Sequence, residues 1–149
     1  MQVQQQIIKP DHASCEAIHR TMSNNRSKNT KPEMVVRRLL REAGFPGYRI
    51  HWKKAPGKPD IAYPGRKIAI FVNGCFWHRH PNCKYAYTPK SNQDFWVSKF
   101  KENTNRDQQK ISELESLGWK VFIIWECELE QHNSESLQFV CSSLRGSGI

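Results

Sequence analysis

Lys67-Ile68-Ala69-Ile70-Phe71-Val72, running on into Asn73-Gly74-Cys75-Phe76-Trp77-His78-Arg79-His80-Pro81-Asn82-Cys83, is the stretch on which the fold turns. The first part is almost wholly apolar and reads as a strand buried on both faces, the centre of a sheet. The ten residues from Gly74 to Cys83 then crowd two thiols, two imidazoles and two aromatic rings together. That is poor material for an ordinary turn and good material for a metal-stapled loop presenting side chains to a partner.

Upstream of the central strand, Pro64-Gly65-Arg66 reads as a turn, and Asp60-Ile61-Ala62-Tyr63 as the strand paired across it. Ala55-Pro56-Gly57-Lys58-Pro59 breaks the chain before that strand, and Tyr48 to Trp52 is a short extended run. Thr30-Lys31-Pro32-Glu33 starts a helix: Thr30 caps, Pro32 suits the first turn, and Glu33 takes the capping-box position. This helix runs to about Ala43 on an apolar face of Val35, Val36, Leu39, Leu40 and Ala43, with Gly44 as its stop.

Downstream, a second helix is predicted from near Ser91, with Asp94 as capping partner, to about Leu117. Its apolar positions Phe95, Trp96, Phe100, Ile111 and Leu114 are interrupted by the polar stretch 101–110, so the middle of the helix faces either ligand or solvent. Gly118 ends it, Trp119 to Trp125 is another core strand, and a weak last helix spans Glu135 to Leu144. The order predicts an α/β fold, a small mixed β-sheet flanked by helices. A crossover through the long helix sets the last strand parallel to the central one.

A chain of 149 residues fits one domain. Residues 1–21 read as a flexible N-terminal arm and 22–149 as the domain. Lys and Arg number 23 against 14 Asp and Glu, a formal charge of +9, which favours a polyanionic partner or serves solubility. The basic residues group as Arg26, Lys28, Lys31, Arg37, Arg38 and Arg41, as Lys53, Lys54 and Lys58, and as Lys99, Lys101 and Arg106. Those in loops near Asp60 are the better phosphate contacts. Five cysteines, an odd number, argue against a full disulfide framework. With no apolar run approaching membrane-spanning length and no signal-like start, the expected location is cytoplasmic.

Pro59-Asp60 is the first candidate for chemistry: a rigid carboxylate at a strand start either holds Mg2+ against a phosphate or is a turn residue. Glu33 either assists that ion through water or caps its own helix. His78 can relay a proton for an attacking water, ligate zinc, or sit at the surface. Asp107 either orients His78 or pairs with Arg106 and Lys110 on its own helix. Cys75, His80 and Cys83, spaced x4 and x2, combine with Cys127 into a three-thiolate, one-imidazole set suited to structural zinc, unless the thiols are simply reduced core residues. Phe76 and Trp77 are either DNA wedges or a cover for that loop.

Taken in order, Asn29-Thr30-Lys31-Pro32-Glu33, Pro56-Gly57-Lys58-Pro59-Asp60, Phe71-Val72-Asn73-Gly74-Cys75-Phe76-Trp77-His78, Thr88-Pro89-Lys90-Ser91-Asn92, Asn103 with Arg106-Asp107, Gly118-Trp119-Lys120-Val121 and Trp125-Glu126-Cys127 resemble the very short patch repair (Vsr) DNA mismatch endonucleases. The resemblance covers roughly Met22 to Cys127. It implies a restriction-endonuclease-like fold and a Mg2+-dependent enzyme that nicks duplex DNA 5′ of the thymine in a T:G mismatch left by 5-methylcytosine deamination. By the same resemblance Asp60 and the backbone carbonyl of Val72 bind Mg2+, Glu33 reaches the metal through water, and His78 is the general base with Asp107 as partner. Cys75, His80, Cys83 and Cys127 match the zinc ligands, Phe76 and Trp77 the wedge, Met22 a residue inserted from the opposite groove, and Lys58 and Lys90 DNA contacts.

Asn73 stands where the best-known members carry a second active-site histidine, and Val72 replaces a threonine. The family implies a monomer working beside a cytosine-5 DNA methyltransferase, with MutL as a possible partner. Two other readings remain: a restriction or defence nuclease indifferent to mismatches, and a catalytically silent zinc-containing DNA-binding module.

Overall fold

The computed structural model describes residues 28–130 and 134–147. Met22, Arg26, Cys15 and the arm proposed for residues 1–21 lie outside them.

Helix α1 (Lys31–Glu42) begins as its sequence dictates, with the Thr30 hydroxyl accepting from the Glu33 backbone N–H at 3.4 Å. The buried stripe differs from the apolar one expected. It runs Glu33, Val36, Arg37, Leu40, at the i, i+3, i+4, i+7 spacing of one helix face, while Ala43 is exposed. A glutamate and an arginine thus occupy core-facing positions, tolerated because they pair at 3.2 Å.

Strands β1 (Arg49–Ile50), β2 (Ile61–Tyr63), β3 (Ile68–Asn73) and β4 (Lys120–Trp125) form one sheet in the order β1-β2-β3-β4. The first two pairings are antiparallel and the β3–β4 pairing is parallel, with Asn73 opposite Trp125. The expected hairpin turn is a short 3-10 helix over Pro64–Arg66, closed by Lys67 at φ 53°. Alternation along β3 separates two cores. Ile68, Ile70 and Val72 join Val36 and Leu40 of α1 and Val140 and Leu144 of the last helix, α4 (Glu135–Ser147). Ala69 and Phe71 face the other way, onto Leu114 of helix α2 (Gln93–Ser116). The architecture is a mixed sheet between helical layers.

Helix α2 starts one turn position later than expected. Asn92, at φ 56°, is the N-cap, and Phe95 is exposed instead of buried. One stripe of α2 faces inward through Trp96, Phe100, Asn103, Asp107, Lys110 and Leu114, again at i, i+3, i+4 spacing. Its ends are apolar and packed. Its polar middle has no core to meet and looks across the carboxyl end of β3. The short helix α3 (Glu126–Glu130) follows β4 directly. Among the described residues no helix is long and apolar enough to cross a membrane.

Gly57 shows how closely α2 approaches. It sits at φ +76°, and a Cβ there would lie 2.7 Å from Cγ and 2.8 Å from Cβ of Lys110. Gly57→Ala should therefore destabilise the fold by about 1–3 kcal/mol, combining the left-handed backbone penalty with displacement of Lys110. Urea denaturation of the two proteins measures it.

Candidate active site and metal cluster

A cleft of about 920 Å3 opens between α1, the carboxyl end of β3 and the polar stripe of α2. Four carboxylates lie in it, Glu33, Asp60, Asp107 and Glu126, and Lys31, Lys53, Lys58, Lys99, Arg106 and Lys110 also line it. An acidic floor under a basic rim suits a phosphodiester: the cations hold the backbone while the acids hold a cation against it.

Asp60 is placed by the buried Pro59 before it and by β3 beside it, where the Val72 N–H donates to its Oδ2 at 2.8 Å. Burial pushes this carboxyl up from 3.8 to about 6. The Val72 N–H pulls it back down, the neighbouring Glu33 pushes it further up, and His51 and His78 oppose that rise. Two carboxylates so placed make each other's charge costly, and a divalent cation is the group that offsets the cost.

Glu33 both caps and faces the site. Its Oε2 accepts from the Thr30 hydroxyl at 3.2 Å, while Oε1 accepts from the Asn29 N–H at 3.1 Å and from Arg37 at 3.2 Å. His51 Nε2 stands 2.9 Å from the same oxygen, and one donor atom each from Glu33, His51 and Asp60 lie within 4.8 Å of one another. His51 was not legible as a site residue. Its place comes from strand register, because the pairing of Ile50 with Ile61 sets His51 opposite Asp60, and its N–H donates to the Asp60 carbonyl at 3.1 Å.

His78 lies on the loop after β3, and its Nδ1 meets Asp107 Oδ2 at 2.6 Å. A carboxylate only accepts, so Nδ1 carries a proton, and in the neutral ring the lone pair is then on Nε2. The ring lines the cleft that also contains Asp60. Asn103 holds the same loop by donating to the Trp77 carbonyl at 3.0 Å. Asn73 is buried and lines the cleft, Lys58 lines it too, and Lys90 is exposed outside its lining.

The two aromatics of the loop have different surroundings. Phe76 is buried, with Trp77, Tyr87, Trp96 and Phe100 all 5.0 to 5.5 Å from its ring centre. Trp77 is only partly buried and caps this cluster at the cleft. Arg79, also unassigned in the sequence, pins the loop: it donates to the carbonyls of Ala86 and Tyr87, both at 2.9 Å, and lies 3.9 Å over the Phe100 ring.

Beside the cleft, Cys75, His80, Cys83 and Cys127 place their ligand atoms within 4.8 Å of one another, a cluster able to hold a metal ion. His80 Nδ1 is 3.5 Å from Cys75 Sγ and 3.4 Å from Cys127 Sγ. The parallel β3–β4 register brings the loop after β3 to the start of α3, and His80 stacks on Trp125 at 4.3 Å. Burial pushes the Cys75 and Cys127 thiols up and holds His80 down, so the ring favours its neutral form and the two sulfurs give up their protons only to a bound cation. Glu126 links cluster and cleft: its Oε1 accepts from the Cys75 N–H at 3.2 Å, and it lines the cleft.

Residues 11–84 match the model of a protein family described as DNA mismatch endonuclease Vsr. The chain is 45% identical to the type II nicking enzyme V.XorIIP of Xanthomonas oryzae pv. oryzae, over 80% of its own length and 86% of the relative's. It is 47% identical to the type II nicking enzyme V.NmeAIP of Neisseria meningitidis, over 70% and 73% of the two chains. To the DNA mismatch endonuclease Vsr of Escherichia coli it is 37% identical, over 69% and 65%.

Proposed function

The chain belongs to the Vsr-type family of nicking endonucleases acting on DNA, and from that premise we propose that it nicks one strand of duplex DNA on the 5′ side of the thymine in a T:G mismatch. The observation that carries this reading is the shared cleft. Asp60 and the His78–Asp107 pair line one groove with a basic rim, close enough for His78 to act on the charge of Asp60.

The oxygen donors of Asp60 and Glu33 fit Mg2+, a hard cation that takes carboxylates and keeps several waters. A bound Mg2+ would supply Lewis acidity toward the scissile phosphate. His78 Nε2 accepts the proton of the attacking water, and Asp107 keeps the ring in the tautomer that can do so. The lysines and Arg106 fix the backbone in register without reading sequence. Trp77, partly exposed in the cleft lining, is the ring that enters the stack in this reading, and Phe76 packed against it braces it; a mismatched step opens at lower cost than a paired one.

For the second cluster the fit is to zinc. Tetrahedral bonds of about 2.3 Å to sulfur and about 2.0 Å to nitrogen put the two ligand atoms about 3.5 Å apart, which matches the Cys75–His80 and Cys127–His80 separations of 3.5 and 3.4 Å. The arrangement is closed, as in a structural site in a restriction-endonuclease-like fold. Reduced thiols of this kind belong to the cytoplasm. There a cytosine-5 methyltransferase would create the lesion, and MutL is the proposed repair partner.

Single-turnover nicking of matched and T:G duplexes, with and without Mg2+, tests the proposal. Cleavage confined to the T:G strand supports it, and equal cleavage of matched DNA assigns a nuclease indifferent to mismatches. Binding without cleavage assigns a silent module. In the same assay His78→Ala should slow nicking by about 10²–10⁴-fold, the range of a general base. Asp107→Asn should slow it by at least about tenfold through the wrong tautomer, with duplex affinity unchanged in both.

A further inference from the structure

Within the proposed metal cleft, His51 is the group that neither the backbone nor the capping of α1 explains. Its φ of 45° is unusual for a residue with a side chain, and its N–H is tied to the Asp60 carbonyl at 3.1 Å. The result aims an imidazole, its side chain only 20% exposed, into the space between Asp60 and Glu33.

Glu33 Oε1 does not need the ring as a donor. A carboxylate oxygen offers about two lone-pair sites, and the Asn29 N–H at 3.1 Å and the Arg37 guanidinium at 3.2 Å already take them. The 2.9 Å from His51 Nε2 to that oxygen is a hydrogen bond when this nitrogen carries the ring proton, and it is also the spacing of two adjacent ligands about 2.1 Å from one octahedral ion, about 3 Å. We propose that His51 is a direct nitrogen ligand of the divalent ion held by Asp60 and Glu33, and that it tilts this cleft toward ions that accept imidazole, Mn2+ above Mg2+. Mg2+ binds oxygen and gains little from an imidazole, whereas the first-row divalent ions, a series that begins with Mn2+, also accept nitrogen. The inference rests on the reading of this cleft as a metal site.

Calorimetric titration of the zinc-loaded protein, without DNA, with Mn2+ and with Mg2+ tests it together with electron spin-echo spectroscopy of the Mn2+ complex. The wild-type Mn2+ signal should carry 14N coupling from a bound imidazole. In His51→Gln, which keeps a donor toward Glu33, that coupling should vanish and Mn2+ affinity should fall by about 10-fold or more, the scale of a lost ligand-shell contact, while Mg2+ affinity changes much less. No 14N coupling in the wild-type protein overturns the proposal without recourse to any variant, and so does unchanged Mn2+ affinity in folded His51→Gln. Asp60→Asn separates the two levels: if it still binds both ions, the cleft is not the metal site at all. If it loses both while His51→Gln binds Mn2+ normally, only the role of His51 fails.

Discussion

Asp60→Asn should leave a folded protein that is more stable than the original without metal and unable to cut. The amide oxygen can still accept the Val72 N–H, so the corner between β2 and β3 keeps its bond. What disappears is a charge that burial makes costly. The carboxyl is raised from 3.8 to about 6 in the fold, so the folded state binds its proton more tightly than the unfolded chain does. The cost is therefore fully present above about pH 6, shrinks as the pH falls through that value, and is gone below the ordinary carboxylate range. At pH 8 and without divalent ions the variant should gain about 2 kcal/mol, discounted from the full shift for partial solvent access, and at pH 4 almost nothing. Saturating Mg2+ should reverse the order, because an ion bound only by the folded wild type stabilises it by mass action. Nicking should fall by about 10³-fold or more, since several kcal/mol of charge stabilisation at the phosphate leave with the ligand. Thermal melts across pH, with and without Mg2+, and single-turnover nicking check each part. A variant that cuts normally, or that is less stable at pH 8, contradicts the placement of Asp60.

Cys83→Ser should have the largest effect on stability. Structural zinc is worth on the order of 10 kcal/mol in small zinc-dependent folds, but this chain has two apolar cores on the sheet that do not depend on the cluster. The expected loss is therefore regional. One zinc per chain should drop to none, and the loop from Gly74 to Cys83 should lose its hydrogen-exchange protection. The ring cluster of Phe76, Trp96 and Phe100 should loosen, visible in near-ultraviolet dichroism, while β2 and β3 stay protected. Because Trp77 and His78 ride on that loop, nicking should be lost with the metal. Wild-type protein that folds and cuts with no metal in the cluster refutes the assignment.

Much of this was legible in linear order. Helix α1 announces itself because Thr30, Pro32 and Glu33 each satisfy a local demand of a helix start, and β3 because five successive apolar residues, Ile68 to Val72, suit a central strand. The Cys/His cluster was legible because ligand chemistry restricts residue type so sharply that three such residues after one core strand and a fourth after the other point to one centre. Asp107 was less so: on an isolated helix its neighbours Arg106 and Lys110 are equally good partners, and only packing of α2 across β3 turns it toward His78.

The sequence by itself determined most of the helices and strands, that one strand lies at the centre, and most of the candidates for chemistry, because periodicity, capping and ligand type are local properties. Tertiary structure alone decided that His51 joins Glu33 and Asp60, that Phe76 is buried while Trp77 stays partly exposed, and that the polar middle of α2 faces inward. These depend on strand register and on the rotation of a helix about its axis. Both are set by how distant apolar faces fit together, and a one-residue slip or a quarter turn leaves the local pattern unchanged while moving every side chain to another neighbour.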